Sequence, residues 1–381
     1  MDIKASRSSL ASMISKWRTT LGQKPDIREE YGLADDHTDT DAGVGESYWG
    51  DWCPDPLLDG FEIRTFQMVS RAHLPEEGDG HLVSTLIRRQ AARHDRAVLY
   101  IHGWNEYFFQ RHVAEFFEQL GYDFYAVDLH RYGRSLQEGE LFGYMEDIED
   151  YYDELDACVA SIRQDHSKVV VSGHSTGGLI ASLFACDRPK TFVGAILNAP
   201  WIDMQGSALF RALTAPIVRG LAVASPTMVL PAVENDVYGR SLHTLYHGEW
   251  DYDLGLKRVD SQPLRPGWVR AVVNGHDRVG AGLRIDCPVL VLTSARSSDS
   301  REWTEEALST DMALDVDRIA ARVHLLGWHV TLVRLQGALH DVSLSRKEVR
   351  ERFFDEIRRW ELAYVRGPRA QEKASQDGET P

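Results

Sequence analysis

Ser175 stands in Gly173-His-Ser-Thr-Gly177, directly after the β-branched run Lys168-Val-Val-Val-Ser172. A serine flanked by glycines at the end of a strand is the pattern of a nucleophile held on a sharp strand-to-helix turn. Such a turn brings neighbouring side chains against adjacent backbone, where only hydrogen fits, and it lifts Oγ clear of the sheet. Three fixed positions in five arise by chance in roughly one chain in ten of this length. The pentapeptide therefore carries weight only with its partners.

A serine hydroxyl is a poor nucleophile at neutral pH and needs a general base. The candidate is His340 in Gln336-Gly-Ala-Leu-His-Asp341, the one among fifteen histidines that lies just past the last strand. An acid must orient its imidazole and stabilise the protonated form. That acid should follow the strand Pro288–Thr293, where Asp299, Asp311 and Asp315 are available. Asp299 sits in Ser297-Ser-Asp-Ser-Arg301, which reads as a solvated turn, and Asp315 precedes a helical stretch, Asp317–Val323. Asp311 is favoured, although about seventeen residues separate it from the strand, so the segment carrying Trp303 must loop out and return. Two backbone amides must meet the developing oxyanion. Thr176, at the positive end of its helix, offers one. Trp104, after the strand and turn Val98-Leu-Tyr-Ile-His-Gly-Trp104, offers the other. The His102 side chain reads as a hydrogen-bonded structural group, and that of Trp104 as either pocket lining or packing. Asp128-Leu-His-Arg-Tyr-Gly-Arg-Ser135 reads as a structural ion-pair loop.

The elements that position these residues alternate. Strands are expected at Phe61–Ser70, His81–Arg89, Arg96–Ile101, Asp123–Leu129, Lys168–Ser172, Phe192–Asn198, Pro288–Thr293 and Val330–Leu335. Helices are expected at Gln110–Leu120, Glu146–Gln164, Gly177–Cys186 and Arg346–Tyr364. That alternation predicts an α/β fold with a mostly parallel sheet covered on both faces. The rhythm breaks between Trp201 and Asp286, a stretch rich in aromatics and read as an inserted helical cap. The expected organisation is an N-terminal extension (1–50), a core in two parts (51–201 and 286–365), the cap (202–285) and a polar, disordered tail (366–381). Within the extension, Leu10, Met13, Ile14, Trp17 and Leu21 fall at helical spacing among basic residues. Surface packing is the main reading of that helix, with an interfacial membrane contact or a transit segment as alternatives. Residues 29–47 read as an acidic connector.

These residues together resemble the α/β-hydrolase superfamily. The likeness rests on His102-Gly103-Trp104, Asp128-Leu-His-Arg-Tyr-Gly-Arg-Ser135, Gly173-His-Ser-Thr-Gly177 and the late His340. Within it, the chain is most similar to the monoacylglycerol lipase and lysophospholipase group, often merged with serine aminopeptidases of the S33 type, over about residues 58–365. The resemblance implies an α/β-hydrolase fold, a Ser-Asp-His triad, no metal or other cofactor, and small-molecule ester substrates with an apolar acyl chain. The expected reaction is ester hydrolysis through an acyl-enzyme on Ser175. A serine aminopeptidase or amidase is the alternative, and it would need an anionic subsite that Glu234, Asp236, Glu249, Asp251 or Asp253 could supply. A non-catalytic ligand-binding protein on the same fold is the third reading.

Composition bounds the rest. The chain has 381 residues, 43% hydrophobic and 26% charged, with a formal net charge of −16. It can bury a large core, and its charge disfavours nucleic-acid binding. The four cysteines are scattered with no C-x-x-C pair, so they read as isolated buried thiols in a reducing compartment. Residues 1–22 lack the apolar core of a secretory signal. The longest apolar stretch, Ala215–Val233, carries Arg219 and three prolines and is not expected to span a membrane. A cytoplasmic location with at most peripheral membrane contact is the expectation.

Overall fold

The computed structural model describes residues 48–89, 91–204, 220–231 and 236–366. The expected N-terminal helix, the acidic connector up to residue 47 and nearly all of the polar tail lie outside them, as do the two ends of Ala215–Val233. No helix among the described residues is long and apolar enough to cross a membrane.

Among the described residues, ten strands form one sheet. They are β1 (Tyr48–Trp49), β2 (Cys53–Pro54), β3 (Glu62–Ala72), β4 (His81–Arg88), β5 (Arg96–Ile101), β6 (Asp123–Asp128), β7 (Lys168–His174), β8 (Gly194–Asn198), β9 (Val289–Ser294) and β10 (Val330–Leu335). Their spatial order is β1-β3-β4-β6-β5-β7-β8-β9-β10, with β2 pairing to β3. From β6 to β10 every pairing is parallel, while β1 to β4 pair antiparallel. The parallel run follows from the helices between its strands, which force each crossover to return the chain in the same direction.

Both faces of the sheet from β5 to β9 are buried, and most of those strands read as continuous apolar runs for that reason. The alternation of the pleat still sorts the side chains. Leu99, Ile101, Val169, Val171, Val289 and Val291 face one core. Tyr100, Val98, Val170, Leu290 and Leu292 face the other. On the first face lie α2 (Tyr152–Ile162), α3 (Thr176–Asp187) and α5 (Pro266–Ala281). On the second lie α1 (Arg111–Gln119) and α7 (Lys347–Trp360). Helix α3 is buried at every residue from Thr176 to Ala185, so it is apolar all round rather than striped.

The expected strands and helices match these elements to within a few residues. Two details depart from expectation. The helix expected from Glu146 opens as a 3₁₀ turn, Ile148–Tyr151, capped by the Asp147 carboxylate. Of the four free cysteines, Cys158 and Cys287 are buried, but Cys53 is exposed because it lies on a two-residue strand at the sheet margin.

Within residues 202–285, two described helices behave differently. Helix α5 packs Trp268, Ala271, Val272 and Val279 into the main core beside Leu179 and Leu183. Helix α4 (Val237–Leu242) and the loop after it pack instead over Tyr107, Phe109, Leu339 and Leu344. That second segment covers the loops that leave β5 and β10.

Candidate active site

The chain passes from β5 to β6 on one side and then crosses to β7 on the other side of β5, so a crevice opens beyond the carboxyl ends of β5 and β7. Ser175, His340, Asp311, Trp104 and Thr176 lie at this edge.

Ser175 is the turn between β7 and α3. Its φ of 53° and ψ of −116° are unusual for a residue with a side chain. Its amide donates to Asn198 O at 3.0 Å, and its carbonyl accepts from Gly178, Leu179 and Trp201. The strain is thus held from both sides by backbone bonds. The flanking glycines are sterically required. A Cβ on Gly173 would stand 2.5 Å from Gly177 O, and one on Gly177 would stand 2.3 Å from His102 O.

His340 follows β10 on a loop opened by Gly337, whose φ is 81°. Its Nε2 lies 3.0 Å from Ser175 Oγ, and its Nδ1 lies 2.9 Å from Asp311 Oδ2. Asp311 is fully buried, and its other oxygen accepts from the Ala313 and Leu314 amides at 2.8 and 2.7 Å. Those two bonds hold the carboxylate plane in place. The excursion from the β9 end closes on itself: Ser298 N donates to Asp311 O at 2.9 Å, and Asp311 N donates to Arg296 O at 3.0 Å. A short parallel bridge therefore brings Asp311 back to the strand end. Asp315 instead caps helix α6 (Val316–Arg322) by accepting from Asp317 N and Arg318 N. Asp299 is exposed.

Thr176 is the first residue of α3, and Trp104 follows the His102-Gly103 turn. Both line a cavity of about 260 Å³ with Ser175 and His340. Neither backbone amide donates to a protein acceptor among the described residues. The Trp104 indole both lines the cavity and packs, with its ring 4.1 Å from that of Trp268. His102 is buried and hydrogen-bonded: its Nδ1 donates to Gly103 O at 2.8 Å, and its Nε2 accepts from Leu129 N at 3.1 Å. In the loop after β6, Arg134 forks onto Asp55 at 2.9 and 2.7 Å and meets Asp128 at 2.8 Å. Asp128 in turn accepts from Phe108 N at 2.8 Å, which ties this ion-pair cluster to the loop after β5.

A second polar cluster, centred on Glu106, is absent from the sequence reading. Glu106 is fully buried. It accepts from Gly103 N at 2.8 Å, His174 Nδ1 at 2.7 Å and Gln110 Nε2 at 2.9 Å, and Lys257 Nζ stands 3.6 Å away. Burial works to raise the Glu106 pKa, yet Lys257, His174 and the Gly103 amide outweigh it and hold the carboxyl well below its usual range. Burial likewise opposes protonation of His174, but Glu106 and Asp341 outweigh it and raise its pKa. Asp341 accepts from Asn198 Nδ2 at 2.7 Å and from Ser343 N at 3.0 Å, which anchors the residue next to His340 to the end of β8. Glu106, His174 and Asp341 bring three candidate metal-ligand atoms within 4.8 Å of one another. N–H donors already fill the carboxylates, and the Lys257 ammonium stands beside them, so the cluster is hydrogen-bonded rather than an open cation cage. The signal that could have found it is a carboxylate three residues past Gly103, just before the apolar run Tyr107-Phe-Phe109. An acid there is buried and needs partners.

A parallel-centred sheet covered on both faces, with an elbow serine and a histidine at its carboxyl edge, defines an α/β-hydrolase. Solved structures of this kind superpose on the chain. A monoacylglycerol lipase from Paleococcus ferrophilus matches with TM-score 0.51 and 19% identity, over 69% of this chain and 92% of that one. A soluble variant of the Saccharomyces cerevisiae monoglyceride lipase, solved with a substrate analogue, matches with TM-score 0.53 and 16% identity, over 84% and 96%. In sequence, the chain is 22% identical over 251 residues to a monoglyceride lipase homolog of Monkeypox virus, covering 65% of this chain and 82% of that protein. It is 26% identical over 209 residues to human monoglyceride lipase, covering 53% and 61%. The family model described as serine aminopeptidase, S33, matches residues 92–299, more than half of the chain. The chain belongs to that family and is a hydrolase of the lipase and esterase type.

Proposed function

We propose that this protein hydrolyses carboxylic esters with an apolar acyl chain, of the monoacylglycerol or lysophospholipid type, through an acyl-enzyme on Ser175. The observation that carries this reading is the unbroken chain Asp311–His340–Ser175 opening into a cavity whose described lining holds no carboxylate. Trp104, Trp201, Leu242, Val259, Met312 and Leu314 supply an apolar wall for an acyl chain.

Ser175 Oγ attacks the ester carbonyl carbon as His340 Nε2 takes its proton. Asp311 accepts from Nδ1–H throughout, fixing the tautomer and stabilising the imidazolium. The carbonyl oxygen becomes an oxyanion, and the free amides of Trp104 and Thr176 donate to it. His340 returns the proton to the departing alkoxide, which leaves as an alcohol. Water then attacks the acyl-enzyme with His340 as base, and the acid is released.

The amidase alternative requires a carboxylate for the substrate ammonium. Asp236, Glu249, Asp251 and Asp253 do not line this cavity, and the Asp251 side chain is 90% exposed; Glu234 lies outside the described residues. Side-by-side assay of monoacylglycerols, p-nitrophenyl acyl esters and aminoacyl anilides tests the reading. Ester turnover that disappears in Ser175→Ala is expected. Faster cleavage of the anilides, or undiminished ester turnover in the variant, would sink it.

A further inference from the structure

Lys257 is a buried cation that the triad does not use. Only 4% of the residue is exposed, and it lines the same cavity as Ser175. Its ammonium lies between Glu106 and the rings of Tyr238 and Tyr252, each 5.9 Å away. Glu106 is already filled by three N–H donors, and the Lys257 contact of 3.6 Å is too long for a hydrogen bond. Among the described residues no side-chain hydrogen bond is made by Lys257, so its charge is paired with Glu106 while its ammonium N–H groups remain open to a hydrogen-bond acceptor beside the cavity.

The segment that carries this lysine is fixed against the loop after β5. Asn105 Oδ1 accepts from Arg258 N at 3.0 Å, and Asn105 Nδ2 donates to Arg258 O at 2.8 Å. Trp104 Nε1 donates to Ser261 Oγ at 3.2 Å. A substrate whose carbonyl oxygen sits at the Trp104 amide therefore has the 257–261 wall beside it. That wall presents Lys257 and Arg258 to the cavity, and the Arg258 guanidinium is neutralised from outside by Asp260 at 2.9 Å. Lys257 is left as the donor for substrate.

Building on the ester-hydrolase reading, we infer that Lys257 is a specificity-determining residue that binds an anionic oxygen group, phosphate or carboxylate, on the substrate beside its scissile ester. An anionic acceptor makes a charge-assisted bond that a neutral glyceryl hydroxyl does not match. With a net charge of −16 the whole chain repels anions, so selection for one must come from such a local donor.

The test compares three esters of one acyl chain: the 1-acylglycerol, its 3-phosphate, and the acyl ester of glycerate. Wild-type enzyme is expected to favour at least one anionic ester over the glycerol ester by roughly tenfold or more in kcat/KM. In Lys257→Gln that ratio should fall about tenfold, through KM rather than kcat. The phosphate and glycerate arms identify which anion fits. Equal rates on all three esters in the wild type, or equal losses in the variant, overturn the inference while leaving ester hydrolysis intact. If Lys257→Gln does not fold, calorimetry on the wild type decides: glycerol 3-phosphate or glycerate should bind where glycerol at the same concentration does not. Binding of neither anion overturns the inference. Cleavage of none of the esters would instead be a failure of the ester reading, and the calorimetric result still judges Lys257.

Discussion

Two buried histidine–carboxylate pairs lie side by side at the carboxyl edge of the sheet, with ring centroids 4.9 Å apart. His340 meets Asp311 through Nδ1 at 2.9 Å, and His174 meets Glu106 through Nδ1 at 2.7 Å. The pairs differ at the other nitrogen. His340 Nε2 faces Ser175 Oγ at 3.0 Å, whereas His174 Nε2 is buried without a hydrogen-bond partner. A histidine–acid couple becomes a proton relay only when its free nitrogen meets a nucleophile. Without one, the same couple is a brace. The Glu106 pair joins the loop before Trp104 to the residue before Ser175, so it holds the proposed oxyanion amides relative to the nucleophile.

The sharpest way to break this contrast is to remove the proposed nucleophile. Ser175→Ala should lower kcat by about 10⁶ and abolish labelling by a fluorophosphonate, with the thermal midpoint little changed. Labelling that persists would place the reactive group elsewhere. Next comes the acid. Asp311→Asn should cost about 10⁴ in kcat because the tautomer is lost. Asp299→Asn should stay near wild type, since the group is exposed and Asp311 already holds the imidazole. Equal, mild losses in both would mean that neither carboxylate orients His340. Glu106→Gln keeps an acceptor for Gly103 but loses the charge, and it should cost about 10- to 100-fold in kcat with KM nearly constant. A loss as deep as that of Asp311→Asn would erase the distinction between relay and brace.

The smallest expected effect concerns two buried histidines whose ring nitrogens bond to backbone carbonyls, not to carboxylates. Burial lowers the His276 pKa to about 4, although its bond to Trp201 O opposes this. Burial does the same to His112, also to about 4. Beside Glu106, by contrast, His174 moves upward from the ordinary 6.5. A lowered folded pKa means that the unfolded chain binds more protons between about 4 and 6.5, so stability falls as pH drops through that window. His174 acts with the opposite sign: its contribution is complete below 6.5 and is lost as pH rises through its raised folded value. Urea unfolding at pH 7 and pH 5 should show the acid loss, and His276→Gln should flatten it. An unchanged slope in that variant would remove His276 from the account.

Much of this was readable in the chain. The glycines around Ser175 are dictated by contacts within a few residues or with the adjacent strand, which is why a pentapeptide announces them. Alternating apolar runs announce the parallel sheet, because strands buried on both faces need no polar positions. Glu106 and Lys257 were not readable. Neither falls in a motif, and their meeting depends on the segment after α4 folding back over the loop after β5.

The sequence by itself determined the elbow, the strand and helix order, and a histidine placed just past the last strand. Each of these follows from local sterics and from the periodicity of burial. Only the tertiary structure decided among three aspartates. The excursion between Arg296 and Asp311 closes through two backbone bonds, and that closure brings Asp311 to the imidazole while Asp315 is spent on a helix cap. Only the tertiary structure, too, set one buried carboxylate between a histidine of the elbow and a lysine far along the chain. Pairings of that kind depend on how loops close and on which donors have already been satisfied, and residue spacing records neither.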